Sequence, residues 1–344
     1  MSDVNSNTPR LDTQSAAETQ KMSLRTFLTR YNAIIILVLL FLFASIFVDK
    51  FLTSMNIFTL LRQQVPYLII GMGMMMVIIT GGIDLSVCSV AAVSSILVAY
   101  SMRNWGFSGG GTDTWVAIAL GVGVGAAFGV VNGLLIAGLR MPAFIVTLAM
   151  MYAGEGIAYI ITGGNTVMLD AQSAGYSDLV GFAMATVSGL PYSVIFAFII
   201  VIIFFFVMRL TTFGRMVYAI GSNEMAVKLA GINSKKYLFF VYLLSGILCG
   251  IAGVIITSRS GNASALTARV DYNMATIAGV VIGGASLAGG EGTVVMTGVG
   301  IFVIAIISNI MSLMGIPSFP QMVVKAMVII LAVLLRSISN KKHA

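Results

Sequence analysis

Long apolar runs separated by short polar segments make up most of this chain. A membrane-spanning helix needs about 20 predominantly apolar residues. Clear candidates are residues 32–48, 115–139, 143–161, 192–208, 237–256, 294–314 and 321–335. Three shorter runs cover residues 65–80, 87–102 and 272–282. The pattern predicts an all-α, polytopic transmembrane bundle of about ten segments, with short or interrupted helices near 80–87 and 272–292.

The composition agrees with a membrane location. The chain has 344 residues, of which 58% are hydrophobic and 9% charged, whereas soluble domains carry about 25% charged residues. Cys88 and Cys249 both lie in apolar runs, which favours small buried hydrophobes over a disulfide. The single histidine, His343, adjoins the C-terminus, so we expect no Cys/His metal site. The basic residues form no stripe on a soluble domain, and we expect no nucleic-acid partner.

The distribution of basic residues predicts the orientation. Lys and Arg concentrate on the cytoplasmic side of membrane proteins. With the N-terminus inside and ten alternating segments, about thirteen basic residues fall inside and five outside. We therefore expect a disordered cytoplasmic tail over 1–30, a membrane domain over 31–336 and a cytoplasmic tail over 337–344. This orientation also places the polar segment 209–236 on the cytoplasmic side.

The segment 209–236 is basic, amphipathic and too long for a simple turn, and it lies between two apolar runs. Asn223 can cap a helix that begins at Glu224, whose carboxylate then lies at the positive end of that helix. Gly231 can end the helix in a left-handed conformation. Its apolar face, spaced at three and four residues, consists of Met225, Ala226 and Leu229. The pattern predicts a short, rigid helix that docks on a soluble partner.

Two Gly-rich breaks resemble each other. The sequences are GGIDLS at 81–86 and GGASLA at 283–288, and each follows a short apolar run. Paired interrupted helices often mark the working region of a transporter. Chance is the alternative, because the chain contains 37 glycines. Within the first break, Asp84 is a charge that costs about 2.5–3.5 kcal/mol at a bilayer centre; capping of the next helix is favoured over substrate contact.

Four motifs in register carry a family resemblance over about residues 32–335. They are GGIDLSV at 81–87, VVNGLLIAGLRMPAFIVTLAMM at 130–151, FGRMVYAIGSNEMAVKLAGI at 213–232 and IAGVVIGGASLAGGEGT at 277–293. The chain resembles the permease subunit of bacterial ABC importers for monosaccharides, the group that includes ribose, galactose, xylose and autoinducer-2 permeases. The resemblance implies a multi-pass protein of the bacterial inner membrane.

The resemblance also implies partners and a coupling site. These are a second permease copy, a cytoplasmic ABC ATPase, a periplasmic sugar-binding protein and membrane lipids. The chain has no GxxxxGK[ST] phosphate loop, so we expect no enzyme activity and no cofactor; ATP would be bound by the partner subunit. The residues expected to couple the permease to the ATPase are Gly214, Arg215, Tyr218, Gly221, Asn223, Glu224, Ala226 and Gly231.

A path for a sugar needs amides, hydroxyls and aromatic edges, since sugars are neutral polyols. The candidates for the translocation path are Gln63, Gln64, Asp84, Asn132, Thr147, Tyr152, Glu155, Asn309 and Gln321. Each of them can equally be an interhelical hydrogen bond. The chain departs from the ribose-type pattern at Cys88, at Asn273 and Ala275, where an acidic pair is common, and at Glu155. These departures leave the particular sugar undetermined.

Two other classes of function remain open at this stage. An ion-coupled secondary sugar carrier would use the broken helices with Asp84 or Glu155, but it has no need of the helix at 224. An intramembrane enzyme would need a paired-carboxylate, histidine or serine-nucleophile constellation, and none has suitable spacing. The sequence also leaves open whether the ATPase is one fused chain or two.

Overall fold

The computed structural model describes residues 32–266 and 272–341. Twelve α-helices occur in this part of the chain. The first six are α1 Asn32–Phe47, α2 Ser54–Ile79, α3 Val87–Asn104, α4 Thr112–Gly133, α5 Ala143–Thr162 and α6 Ala174–Met184. The other six are α7 Tyr192–Leu210, α8 Thr212–Leu229, α9 Ser234–Ser260, α10 Tyr272–Ile282, α11 Val294–Leu313 and α12 Ser318–Lys341. A π-helical turn, Leu134–Gly138, extends α4.

Strands are minor features of the described structure. Two-residue strands β1 (Val167–Met168) and β4 (Asn262–Ala263) pair in antiparallel fashion, and so do β2 (Thr186–Val187) and β3 (Leu190–Pro191). Strands β1, β2 and β3 lie with α6 in the connection between α5 and α7, which therefore holds no separate domain, whereas β4 follows α9. The architecture confirms the predicted all-α bundle.

Helix length and composition bear out seven of the predicted membrane segments, and the other three are shorter helices. Seven helical segments within the described residues are long and apolar enough to span a membrane: α2, α3, α4 with its π-helical turn, α5, α7, α9 and α11. Shorter apolar helices are α1, α10 and the Ser318–Leu331 part of α12. The predicted tail at 1–30 and the last three residues of the chain lie outside the described residues, and α12 continues through 337–341.

The centre of the bundle is built on α9, which packs against α2, α3 and α4. Glycines let α9 and α4 approach closely. A Cβ added at Gly125 would lie 2.5 Å from the carbonyl oxygen of Gly246, and one added at Gly246 would lie 2.3 Å from that of Gly125. Small residues allow such backbone contact between membrane helices. Opposite them, the methionines of α2, Met72 and Met74–Met76, are fully buried and form part of the core.

The structure corrects two predicted boundaries. Helix α2 begins at Ser54, well before the predicted start at 65, because its first turns are amphipathic and escape a search for apolar runs. Thr53 caps it by accepting a hydrogen bond from the amide of Asn56. The segment 209–236 is also mostly helical and not a loop, since α8 starts at Thr212, directly after α7.

The two Gly-rich breaks end their preceding helices in the same way. After α2, Gly81 has φ +79°, and after α10, Gly284 has φ +92°. Each is followed by the hydrogen-bond pattern of a Schellman cap. The bonds are Gly81 N to Ile78 O (2.9 Å), Gly82 N to Val77 O (3.0 Å), Gly284 N to Val281 O (2.9 Å) and Ala285 N to Val280 O (3.1 Å). The two breaks therefore share a cap geometry, but the left-handed residue is the first glycine of GGIDLS and the second glycine of GGASLA, so the structural match is offset by one residue from the sequence match.

Candidate functional site

Helix α8 is divided by one extended residue. Asn223 has φ −161° and ψ 93°, so it separates a first helical part, 212–222, from a short helix at 224–229. Its side-chain oxygen accepts a hydrogen bond from the amide of Ala226 at 2.9 Å. This is the N-cap geometry that the sequence predicted.

The short helix also ends as predicted. Gly231 adopts φ +77°. Its amide donates to the carbonyl of Lys228 at 3.0 Å, and the amide of Ile232 donates to the carbonyl of Val227 at 3.2 Å. Both bonds belong to a Schellman cap, so the short helix is fixed at its two ends.

The short helix presents its apolar side chains outward. Met225 is 63% exposed and Leu229 is 82% exposed, and Ala226 lies exposed between them. Val227, by contrast, is buried against the bundle. An apolar face held on a rigid, exposed helix is suited to docking on another protein.

Polar contacts tie the same helix to the start of α9. Lys228 contacts Glu224 at 2.8 Å, and the Ser234 hydroxyl donates to the same Glu224 oxygen at 2.8 Å. The hydrogen bond from Lys228 lowers the pKa of the Glu224 carboxyl below its usual value, and the Ser234 hydrogen bond acts in the same direction. Glu224 therefore has a positioning contact within the permease.

The first part of α8 meets both Gly-rich breaks through backbone atoms. The amide of Gly290 donates to the carbonyl of Ile79, the last residue of α2, at 2.8 Å. A Cβ added at Gly221 would lie 1.7 Å from that carbonyl oxygen and 2.6 Å from the Gly290 nitrogen. We call the contact of Ile79, Gly221 and Gly290 the glycine junction. Any side chain at Gly221 would displace the break after α2 or the one after α10.

Tyr218 adds a second contact to the same region. Its hydroxyl donates to the carbonyl of Gly292 at 2.7 Å. Burial raises the pKa of the phenol, so the group remains a hydrogen-bond donor. Tyr218 and Gly221 are three residues apart and therefore share one face of α8.

The other two predicted coupling residues lie at the start of α8. Gly214 is buried against the α7 backbone, and a Cβ there would lie 2.2 Å from the carbonyl oxygen of Met208. Arg215 is exposed and donates to the carbonyl of Leu210 at 3.2 Å. Gly214 thus permits the tight α7–α8 corner.

Asp84 is the centre of a buried polar network. One carboxylate oxygen accepts from the Ser86 amide (2.9 Å) and hydroxyl (2.6 Å), and the other accepts from the Ser245 hydroxyl at 3.0 Å. The Asn132 amide donates to the Ser86 hydroxyl at 3.1 Å. Asp84 and Asn132 are each only 2% exposed. Asp84 therefore fixes the backbone just before α3 by holding Ser86, the N-cap residue of that helix, and does not itself bond to an amide within α3.

Thr147 and Asn273 also hold this break. The Thr147 hydroxyl donates to the carbonyl of Ile83 at 3.1 Å. The Asn273 side chain accepts from the amide of Cys88 at 3.0 Å and donates to the carbonyl of Leu85 at 2.7 Å. The sequence identified Asn273 only as a departure from a family pattern. Its hydrogen bonds to the start of α3 become visible only in the folded structure.

A polar cavity of about 270 Å³ lies between α2, the end of α9, α10, α11 and α12. Its described lining includes amides, hydroxyls, aromatic rings and two cations. The lining residues are Gln63, Gln64, Tyr67, Arg259, Tyr272, Ala275, Ile301, Ile304, Ala305, Ser308, Ser312, Gln321 and Lys325. The rings of Tyr67 and Tyr272 lie 4.5 Å apart between centroids.

The structure divides the predicted path residues into groups. Gln63, Gln64 and Gln321 are brought together at the cavity, whereas Asp84, Asn132 and Thr147 belong to the break after α2. Asn309 exchanges side-chain hydrogen bonds with Asn56, at 2.8 and 3.1 Å. On α5, Tyr152 is exposed and Glu155 is partly buried.

Several cavity residues are not among the predicted path residues. Tyr67, Tyr272, Ser308 and Ser312 lie within apolar runs that gave no signal of their own. Arg259 and Lys325 could have been found, because charges in membrane helices usually face an interior or aqueous cavity. Within the described ranges, no three His, Cys, Asp or Glu side chains are grouped to hold a metal ion.

The bundle of membrane-length helices and the polar cavity between them define a polytopic membrane permease. Residues 56–333 match the family described as the permease component of the branched-chain amino acid transport system. The chain belongs to this family. It is the membrane permease subunit of an ABC importer, and this assignment excludes the ion-coupled carrier.

The curated relatives are similar over nearly their whole length. The chain is 37% identical to the ribose import permease of Escherichia coli strain K12, covering 94% of this chain and 99% of the relative. It is 39% identical to the ribose import permease of Bacillus subtilis strain 168, covering 90% of this chain and 92% of the relative. Identity to the D-allose transport system permease of Escherichia coli strain K12 is 33%, covering 95% and 97%. No solved structure gives a significant match.

Proposed function

We propose that this permease imports a monosaccharide. The observation that carries the proposal is the cavity between α2, α10, α11 and α12, whose amides, hydroxyls and paired tyrosine rings suit a polyol. Amides and hydroxyls can both donate to and accept from sugar hydroxyls. The relatives named for ribose and allose import support the same class of substrate.

The proposed assembly has two permease copies, a cytoplasmic ABC ATPase, a binding protein that delivers the sugar, and surrounding lipid. Both termini are cytoplasmic in this proposal, since the basic residues favour that orientation. ATP is bound and hydrolysed by the partner ATPase. The path through the membrane alternates between its two faces at the interface of the permease copies.

The segment 209–236 is the proposed coupling site. Met225, Ala226 and Leu229 dock on the ATPase, which their exposure supports. Asn223 and Glu224 position the short helix, and Gly231 ends it. We call the short helix at 224–229 the docking helix. Four residues join it to the bundle: Gly214, Arg215, Tyr218 and Gly221. Gln63, Gln64 and Gln321 contact the sugar as it passes.

A second candidate substrate is an acidic monosaccharide. Arg259 and Lys325 both line the cavity. A neutral polyol does not require cations, whereas a carboxylate would be attracted by them. A sugar acid is therefore the alternative to the neutral sugar proposed above.

Uptake by the complete importer tests these proposals. The permease is purified from its native membranes with its ATPase and binding protein and reconstituted in vesicles. ATP-dependent uptake of labelled pentoses and hexoses is compared with uptake of the matching aldonic and uronic acids. A neutral sugar is the expected substrate, and selective uptake of an acid would favour the second candidate. Transport of neither class would contradict the proposed substrate.

A further inference from the structure

We propose that the glycine junction transmits motion of the docking helix to the cavity-lining helices. Its three members, Ile79, Gly221 and Gly290, belong to α2, α8 and the break before α11. The inference rests on the proposed coupling function of the segment 209–236 and adds the part of the permease that receives the movement.

The docking helix is closely connected to the junction. Only Asn223 departs from helical geometry between the two parts of α8, and the buried side chain of Val227 holds the short helix against the bundle. Gly221 lies two residues before Asn223. A displacement of the docking helix is therefore carried directly to Gly221, with no flexible loop between them.

The contact at the junction is made by backbone atoms. Gly221 rests on the Ile79 carbonyl and the Gly290 amide, and a Cβ at Gly289 would lie 2.7 Å from the carbonyl oxygen of Gly221. A long side chain can absorb a shift of about 1 Å by changing rotamer, but a close-packed backbone cannot. The Tyr218–Gly292 hydrogen bond holds the same surfaces together. Movement of α8 must accordingly move Ile79 and the segment at 289–292.

The elements that contact Gly221, α2 and the segment before α11, are continuous with two walls of the cavity. Helix α2 connects Ile79 with Tyr67 over about 18 Å, at 1.5 Å per residue. Helix α11 begins just after the second break and carries Ser308 on the cavity wall. The junction thus acts on two walls of one cavity at the same time. Discrete rearrangement of packed elements is the usual carrier of such coupling.

The test uses a reporter that requires no knowledge of the substrate. Ser308→Cys places a thiol on the cavity wall of the complete permease–ATPase complex. Its labelling rate by a polar maleimide is measured with no nucleotide and with ATP plus vanadate. Cys88 and Cys249 are each only 1% exposed, and the complex without the reporter gives their background.

Gly221→Ala and Tyr218→Phe are then each introduced into the Ser308→Cys permease and compared. We expect the nucleotide-dependent ratio of labelling rates to fall about tenfold in Gly221→Ala, because the junction is overpacked. Loss of one hydrogen bond in Tyr218→Phe lowers it about threefold. The matched control is Gly123→Ala, where an added Cβ meets no atom within 4 Å and the ratio is unchanged. The ATPase co-purifies equally with all of them.

Each contrary result has a distinct meaning. If both junction variants keep the parent ratio, the inference is overturned; if Gly221→Ala does not accumulate, Tyr218→Phe decides alone. Loss of the ATPase from Gly221→Ala would make Gly221 a docking residue and overturn the inference. If nucleotide does not change the labelling rate of the Ser308→Cys complex without a further substitution, the coupling function is contradicted as well. If nucleotide does change that rate but the importer transports no monosaccharide, only the proposed substrate is contradicted.

Discussion

The side chain of Asn223 accepts a hydrogen bond from the amide of Ala226 at 2.9 Å, and this contact begins the docking helix. Removing an N-cap of this kind costs about 1 kcal/mol. The bond lies at the first turn of a helix of six residues, so its loss changes the position of the exposed apolar side chains directly.

We predict that Asn223→Ala weakens the contact with the ATPase about fivefold, the equivalent of about 1 kcal/mol, and reduces uptake accordingly. Co-purification of the ATPase over a range of detergent washes measures the first effect. Asn223→Asp, which keeps a capping oxygen, is the control and retains binding. Equal loss in both variants would mean that the amide contacts the partner itself.

Ala226 lies at the centre of the exposed apolar face, between Met225 and Leu229. Ala226→Glu places a charge where an apolar contact is proposed, and we expect it to reduce uptake by more than about tenfold, since buried unpaired charge is costly. Membrane insertion is unaffected because the site is exposed. Ala171→Glu, also on an exposed residue, is the matched control. Normal uptake by Ala226→Glu would refute the docking assignment.

The buried Asp84 network predicts a graded loss of stability. Ser245→Ala removes one hydrogen bond and costs about 1 kcal/mol, whereas Asp84→Leu leaves the Ser86 and Ser245 donors without their acceptor and costs more than about 2 kcal/mol. Thermal unfolding of the detergent-solubilised permease measures both. Tyr152→Phe changes an exposed residue and serves as the control. A stable Asp84→Leu protein that fails only in transport would favour a role in the path.

The Glu224–Lys228 pair predicts a small effect. The lowered pKa of Glu224 means that its contribution is present above the normal carboxyl pKa and is lost only as the pH falls through the lower, folded value. The pair is partly exposed, and such pairs contribute about 0.5 kcal/mol or less. We expect Glu224→Gln to retain uptake within about twofold at neutral pH, and we expect the parent protein to lose little of the pair's contribution as the pH is lowered to 6.

A large defect of Glu224→Gln at neutral pH would show that the carboxylate contacts the ATPase. Lys228→Gln provides the paired control, because it removes the same attraction from the other side. The two variants should behave alike if the pair acts only within the permease. A defect confined to Glu224→Gln would contradict that interpretation.

The sequence predicted the elements with strong local signals. Apolar runs of membrane length gave nearly all the spans, because lipid requires them regardless of their packing. The cap at Asn223 and the left-handed turn at Gly231 were predicted correctly, since both depend on neighbouring residues alone. The start of α2 was predicted wrongly because Arg62, Gln63 and Gln64 interrupt its hydrophobicity, and the cavity that Gln63 and Gln64 line is formed only by the fold.

Long-range contacts could not be read from the chain. Gly221 and Ile79 are separated by more than a hundred residues, and a glycine gives no sign of which backbone it will touch. Asn273, which bonds to Cys88 from α10, also gives no local sign of its partner. Arg259 and Lys325 give no local sign that they line the same cavity. The sequence by itself determined the membrane class, the family and the capped short helix at 224–229, because these depend on local signals. The tertiary structure decided which glycines form the junction and which polar groups line the cavity, because packing joins residues that have no local signal.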